Sequence, residues 1–403
     1  MSDILPRSRT VILVCGSGIL MLALGTRQTF GLFLPPMTAD LGWGRETFGF
    51  AIALQNLVWG LVQPFVGALA DRHGAGRVLA GGGVLYAVGL AWMAHAGSGT
   101  DFTLSAGLIV GVGLACTSFG VVMAVVGRAF DERSRSLALG VVGAGGSLGQ
   151  FAMLPYGQFL IAGVGWHWAL LVMAASSALI VPLAAALAGR PKRDAGEPTL
   201  NFGAGLREAA GHRGFWYLTA SFLVCGFQTI FVMIHLPAFV IDHGLPAVTG
   251  MMALAVIGFM NIVGSVTLGA LGGHWSKKNI LVLVYLSRVV ALLALVALPV
   301  SAASVYFFAA VMGFTWLGTV PLTNGLVAQI FGVRQIGTLF SIAFLGHQVG
   351  SFLGAWLGGY VYDAFGSYQI VWWAAIALSL TAAALCWPID ERRVGPAPRP
   401  VGV

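Results

Sequence analysis

Hydrophobic residues along this chain fall in twelve long runs, separated by short polar or Gly- and Pro-containing stretches, with no strict alternation inside any run. The runs lie near 10–37, 46–70, 77–96, 102–127, 136–162, 166–189, 214–241, 247–271, 279–299, 303–330, 336–362 and 367–388. At about 1.5 Å of rise per residue, each can cross a hydrocarbon core of about 30 Å as a helix. A closed strand barrel is the other way to satisfy a backbone in lipid, but runs this long without alternation argue against it. The pattern predicts an all-α membrane protein with twelve transmembrane helices.

Composition agrees: 58% of the 403 residues are hydrophobic and 9% charged, with a mean hydropathy of +0.88. The net charge of +7 does not mark a nucleic-acid partner, because the basic residues alternate with the apolar runs instead of forming a patch. If the N-terminus is cytoplasmic, every Lys and Arg falls inside except Arg45, outside, and Arg27 and Arg288, within the membrane. The positive-inside rule then predicts a multi-pass protein of the plasma membrane (a bacterial inner membrane) with both termini cytoplasmic. Met1 to Thr10 leads into a full-length run, so no cleavable leader is expected. Cys15, Cys116, Cys225 and Cys386 all sit in apolar runs and read as packing residues.

The stretch from Arg190 to Arg213 interrupts the pattern with charge, Pro and Gly, and divides the chain. We expect a six-helix bundle over 1–189, a cytoplasmic linker over 190–213, and a second six-helix bundle with a tail over 214–403. Asn201–Ala210 reads as solvated linker or as a short amphipathic surface helix. The halves also align: 67–79 on 269–281, 133–151 on 334–352 and 25–30 on 225–230, with offsets of 202, 201 and 200. The last pairing places Gln28 on Gln228. Two parallel six-helix repeats with a site between them at mid-membrane form a transporter architecture.

Gly67-Ala-Leu-Ala-Asp71-Arg72-His-Gly74-Ala-Gly76-Arg77 resembles the loop signature after the second helix of the major facilitator superfamily. The resemblance spans essentially the whole chain and implies that Gly67, Asp71, Arg72, Gly74 and Arg77 form a conformational latch. Phe130-Asp-Glu-Arg133-Ser-Arg135-Ser-Leu137-Ala138-Leu-Gly140, followed by Ala144-Gly145 and Gly149, is similar to the monocarboxylate transporter pattern, whose layout the oxalate/formate antiporters share. That resemblance implies a lactate- or pyruvate-like anion, often carried with a proton. It also places Arg27, in Arg27-Gln-Thr-Phe-Gly-Leu-Phe33, where those transporters carry a cavity lysine. On the eighth helix the pattern retains Asn261 but has Ser265 where the family favours an arginine, which moves the cationic anchor to the first helix.

Charge inside the membrane carries the chemistry. A guanidinium there costs about 2.5–3.5 kcal/mol on insertion scales. Arg27 lies eight residues before Pro35, so about 12 Å inside the helix end. It can snorkel outward or face a polar cavity; its depth and the adjacent Gln28 favour the cavity. No Asp or Glu lies at mid-run, so an anionic substrate is the simplest counter-charge. Arg288 is equally deep and reads either as a ligand or as a structural arginine bonded to carbonyls or Tyr285. His347 can bind a carboxylate, titrate, or simply pack; His347 and His235 are the candidates for proton coupling. Gln28, Gln55, Asn56, Tyr156, Gln228, Asn261 and Asn324 are embedded hydrogen-bonding groups, some facing substrate and some joining helices at roughly 0.6–2 kcal/mol each.

No metal-ligand spacing, nucleotide loop or nucleophile–base set is present, so neither an enzyme nor a cofactor or metal is expected. The reading expects a monomeric secondary transporter of a small organic anion, a monocarboxylate or related carboxylate, working by alternating access with proton symport or anion exchange. Its partners are the substrate, the lipid bilayer and, for symport, protons. A carrier of a neutral or drug-like solute with a structural Arg27, and a non-transporting receptor or scaffold, are the alternatives.

Overall fold

The computed structural model describes residues 8–188, 211–331 and 336–392; the side chains of Asp71, Glu132, Arg133, 135–137 and 336–338 are outside that description. The expected linker therefore lies almost wholly outside the described residues, as does the helix considered over Asn201–Ala210.

All regular structure among the described residues is helical. Eleven helical stretches are long and apolar enough to cross a membrane. One of these, Ala138–Ala186, reverses direction at Gly165 (φ 80°, ψ 164°), a backbone that favours glycine, which makes twelve spans. The first span is Arg9–Gln28 continued by Phe30–Leu41, the second Arg45–His73 and the third Ala75–Ala94. The fourth runs from Gly99 to Ala129, and the fifth and sixth flank Gly165. The seventh to ninth are Arg213–Asp242, Ala247–His274 and Lys277–Ala297. The tenth is Ala302–Phe314 plus Thr319–Phe331, the eleventh Ile336–Phe365 and the twelfth Gln369–Cys386. Apolar side chains such as Phe159, Val266 and Leu283 stand exposed on the outside, as lipid contact requires.

Two spans are discontinuous, which the apolar runs did not reveal. In the fourth, a π-helical stretch over Thr103–Ile109 precedes an extended Ser118 (φ −84°, ψ 178°) that splits Val110–Thr117 from Phe119–Ala129. In the tenth, residues 315–318 leave the helix. At both breaks hydroxyls take backbone carbonyls: Thr117 bonds Gly113 O and Ser118 bonds Ala115 O, while Thr315 bonds Val311 O and Met312 O.

The duplication is written into the packing. Gly145 and Gly149 of the fifth span sit against Ser17 and Met21 of the first; Gly346 and Gly350 of the eleventh sit against Thr219 and Leu223 of the seventh. Among the described residues, four of the five glycines with positive φ pair as well: Gly42 with Gly244, 202 apart, and Gly165 with Gly366, 201 apart. The first and seventh spans are thus related by 202 residues along their length. Thr26 is the structural counterpart of Gln228, and Arg27 of Thr229. The sequence match that set Gln28 on Gln228 is two residues out of register, because the shared Gln-Thr pair is coincidental.

One continuous core joins the whole first half to the Asp242 end of the second half. The opposite end of the second half, around Phe215, Leu281, Leu326 and Ile342, packs as a separate core. The halves are therefore fused at one end and independent at the other.

Candidate functional site at the membrane midplane

Arg27 occupies the seam between the halves and is 9% exposed. Its Nη2 donates to Asn56 Oδ1 at 2.5 Å, and its Nη1 faces Met233 Sδ of the seventh span at 3.8 Å. The guanidinium lies 5.1 Å from the Trp59 ring centroid. Nε is buried without a partner. Among the described residues no carboxylate pairs with it; the ion pairs involve Arg9, Arg45 and Arg392.

The second span supplies the rest of this wall. Asn56 is fixed by donating from Nδ2 to Ile52 O at 2.7 Å. Trp59 Nε1 and Ser118 Oγ both donate to Gln63 Oε1, at 2.9 and 2.7 Å, tying the wall to the break in the fourth span. Across the seam, Gln348 Nε2 donates to the Asn56 carbonyl at 3.1 Å. Gln348 packs over Gly60, where a Cβ would meet its Cγ at 2.8 Å. His347 Nδ1 lies 3.2 Å from Gln348 Oε1, which can only accept, so the ring donates there. Arg27 and His347 thus stand at the two ends of one hydrogen-bonded chain.

Arg288 is elsewhere. It is fully buried, donating from Nε to Thr315 Oγ1 (3.1 Å), from Nη1 to Gln228 Oε1 (3.2 Å), and from Nη2 to the carbonyls of Thr315 (2.6 Å) and Trp316 (3.4 Å). It caps the C-terminal end of the half-helix Ala302–Phe314, where a cation is favourable. Gln228 spends its amide on Ala375 O and Ser379 Oγ of the twelfth span. Gln55 donates to Ala106 O (2.8 Å), and Tyr156 bonds Ser176 (2.9 Å), both inside the first half. Asn261 crosses the seam to Gln150 (3.3 Å) and accepts from Ser265 and from Leu317 N. Gln28 Nε2 and Asn324 Oδ1 are buried without partners.

The fused end carries a polar clasp. Arg45 of the second span forms a two-point pair with Asp242 of the seventh, 2.6 and 2.7 Å, and donates to Tyr368 Oη at 2.9 Å. Asp363 accepts from the backbone N–H groups of Arg45 and Glu46, at 2.9 and 2.7 Å, capping the second span from the other half. Trp356 Nε1 donates to Glu46 at 3.0 Å. His235 lies directly beneath, fully buried. The hydrogen bonds described between the halves lie in the clasp or in the layer of Arg27, Gln150 and Gln348. Toward the other end Leu61, Phe65 and Leu69 of the second span are exposed, Arg72 and Arg77 reach solvent, and Gly67 faces open space. Gly74 turns the chain there with φ 93°; the Asp71 side chain is outside the described residues.

Sequence reading missed the clasp, Gln348, Gln63 and Met233. The lone outside cation, Arg45, was the available signal for the first; the others are ordinary residues until folding sets Met233 against Arg27, Gln348 against Asn56 and Gln63 against Trp59.

Two six-helix halves around a buried cationic seam define a membrane carrier. The family model of the Major Facilitator Superfamily matches residues 16–343, and the chain belongs to that superfamily. It is similar to monocarboxylate transporter 13 of Bos taurus, 28% identical over 350 residues, covering 86% of this chain and 81% of the relative. It is similar as well to the uncharacterized MFS-type transporter YhjX of Escherichia coli (strain K12), 24% identical over 354 residues and 86% of each chain. Among solved structures, a mutant of the nucleoside transporter NupG superposes with a TM-score of 0.81 at 14% identity, over 95% of this chain and 100% of that one, which shows the shared fold. The protein is a multi-pass membrane transporter of a small molecule.

Proposed function

We propose that this transporter carries a small organic anion, a carboxylate of the monocarboxylate kind, across a bacterial inner membrane by alternating access, with Arg27 as its charge anchor. The observation that carries this reading is a guanidinium at the seam that no carboxylate of the described residues pairs and whose Nε is buried without a partner. A buried cation without a counter-ion is costly, and a carboxylate accepts from a guanidinium at two points. Trp59 and Met233 offer an apolar wall for the body of the anion, and Asn56 fixes the orientation of Arg27. His347 stands at the far end of the same hydrogen-bonded chain and is the candidate for proton symport; exchange of one anion for another does not require it. Gln28 and Asn324 remain ligand candidates through their unpartnered atoms. Gln55, Tyr156, Gln228 and Arg288 hold helices together, and Asn261 joins the halves.

The distribution of Lys and Arg supports cytoplasmic termini and a clasp on the outer side. The described state is then closed outward and uncovered inward, with Gly67, Asp71, Arg72, Gly74 and Arg77 as the inner latch. One chain supplies both walls of the site, so a monomer suffices. Uptake measured against a panel of carboxylates and neutral analogues tests the reading. Wild type should take up a carboxylate, and Arg27→Gln, present at equal levels, should lose roughly ten- to a hundredfold. Equal uptake of a neutral analogue by both proteins would favour a neutral-solute carrier with a structural Arg27.

A further inference from the structure

We infer that the outer clasp is a proton-binding site: His235 takes up a proton only when the clasp opens, so external acid drives the carrier outward-open. The inference rests on the outward orientation proposed above.

His235 Nε2 lies 2.9 Å from the carbonyl of Ala355 and Nδ1 lies 3.1 Å from Tyr368 Oη. A carbonyl only accepts, so Nε2 carries the hydrogen and Nδ1 accepts from the Tyr368 hydroxyl. That hydroxyl also accepts from Arg45 Nη1. The relay Arg45–Tyr368–His235–Ala355 therefore runs through the second, twelfth, seventh and eleventh spans, and it crosses between the halves.

A second proton has no place in this arrangement. On Nδ1 it would face a hydroxyl that already accepts from Arg45, setting an imidazolium against a guanidinium across one oxygen. The ring cannot turn away: Phe231 lies at 5.5 Å between centroids, and the eleventh span approaches so closely at Gly358 that a Cβ there would collide with the imidazole. The charged and titratable groups around it are Arg45 and Glu46 of the second span, Asp242 and His243 of the seventh, Tyr362 and Asp363 of the eleventh, and Tyr368. The acids are already engaged: Asp242 by Arg45, Asp363 by the N–H groups of the second span, and Glu46 by Trp356. None contacts the imidazole.

Linkage then fixes the sign. A proton that binds the open form and not the clasped form shifts the population toward the open form as pH falls through the histidine range. Separating the halves removes Arg45 from Tyr368 and admits water to Nδ1.

The test reads the gate directly. Ala53, fully buried and one helical turn deeper than Gly49 on the second span, is replaced by Cys. Ala39→Cys, exposed at the outer mouth, is the reference that cancels the pH dependence of thiol reactivity. Intact cells are labelled with a membrane-impermeant maleimide at about pH 5.5 and about pH 7.5, on either side of the free histidine range. The ratio of Ala53→Cys to Ala39→Cys labelling should rise severalfold in acid. With His235→Asn it should lose its pH response. Tyr368→Phe, which keeps the histidine, should raise the ratio at the higher pH and flatten its slope. A flat ratio in the His235 protein, or an acid-dependent rise that survives His235→Asn, would overturn the inference; if the Asn variant does not reach the membrane, an unaltered response in Tyr368→Phe would do so. The labelling ratio needs no substrate, so a pH response that depends on His235, found together with carboxylate uptake that does not depend on Arg27, would leave this inference standing and remove the anion reading.

Discussion

Gln348 reaches from the eleventh span to the backbone carbonyl of Asn56, the residue whose side-chain oxygen holds Arg27. The second half of the molecule is thereby tied to the residue that holds the cationic anchor of the first, beside the direct contact of Arg27 with Met233. An anion that redirects the guanidinium acts on Asn56, and through it on the seam. Gln348→Leu, similar in size and without the donor, should weaken carboxylate binding about two- to tenfold, the scale of one neutral hydrogen bond. Equilibrium binding to the purified variant checks this. An unchanged affinity would show that the tie does not serve the site.

Arg288 should behave differently from Arg27 although both are buried arginines. Its donors close the break in the tenth span, and Arg288→Met leaves buried acceptors bare, at about 1–3 kcal/mol for each. We expect a lower melting temperature in detergent and less folded protein, with carboxylate affinity unchanged in what folds. A selective loss of affinity at normal stability would reassign Arg288 to the site.

The repeat predicts matched sensitivities. Gly149→Val and Gly350→Val each drive a side chain into the facing backbone, Met21 O and Leu223 O respectively. Each should cost about 1–3 kcal/mol of stability, as overpacking does. Gly127→Ala, with open space around it, should be neutral. Thermal unfolding of the three variants decides between a close-packed seam and a loose one.

Breaking the clasp should favour the outward-open form. Arg45→Gln or Asp242→Asn removes the two-point pair and should raise external labelling of Ala53→Cys at neutral pH. The exchange Arg45→Asp with Asp242→Arg should restore part of the closure. Labelling that stays at the wild-type level in the single variants would remove the clasp from the gating scheme.

Much of the fold was legible because lipid imposes simple rules. A spanning segment must be long, apolar and internally hydrogen-bonded, so twelve runs became twelve spans. Arg27 was legible as an uncompensated charge. The breaks in the fourth and tenth spans were not, because Ser118 and Thr315 sit inside long apolar runs; their hydroxyls bond carbonyls where the helix breaks. The structural alternative for Arg288, bonding to carbonyls, was legible, but not that those carbonyls belong to the break in the tenth span. The clasp joins Arg45 to Asp242, Asp363 and Tyr368 from distant parts of the chain, and no local pattern predicts that meeting. The near-constant offset survived, but one of its three matches slipped by two residues, as short identities in an apolar helix readily do.

The central claim is that Arg27 awaits a carboxylate. Equilibrium binding of a carboxylate to purified wild type, Arg27→Lys and Arg27→Gln tests it most directly. The account predicts measurable affinity in wild type, a weaker one with Lys, which keeps the charge but loses the two-point geometry, and loss with Gln. Equal dissociation constants for wild type and Arg27→Gln would contradict it.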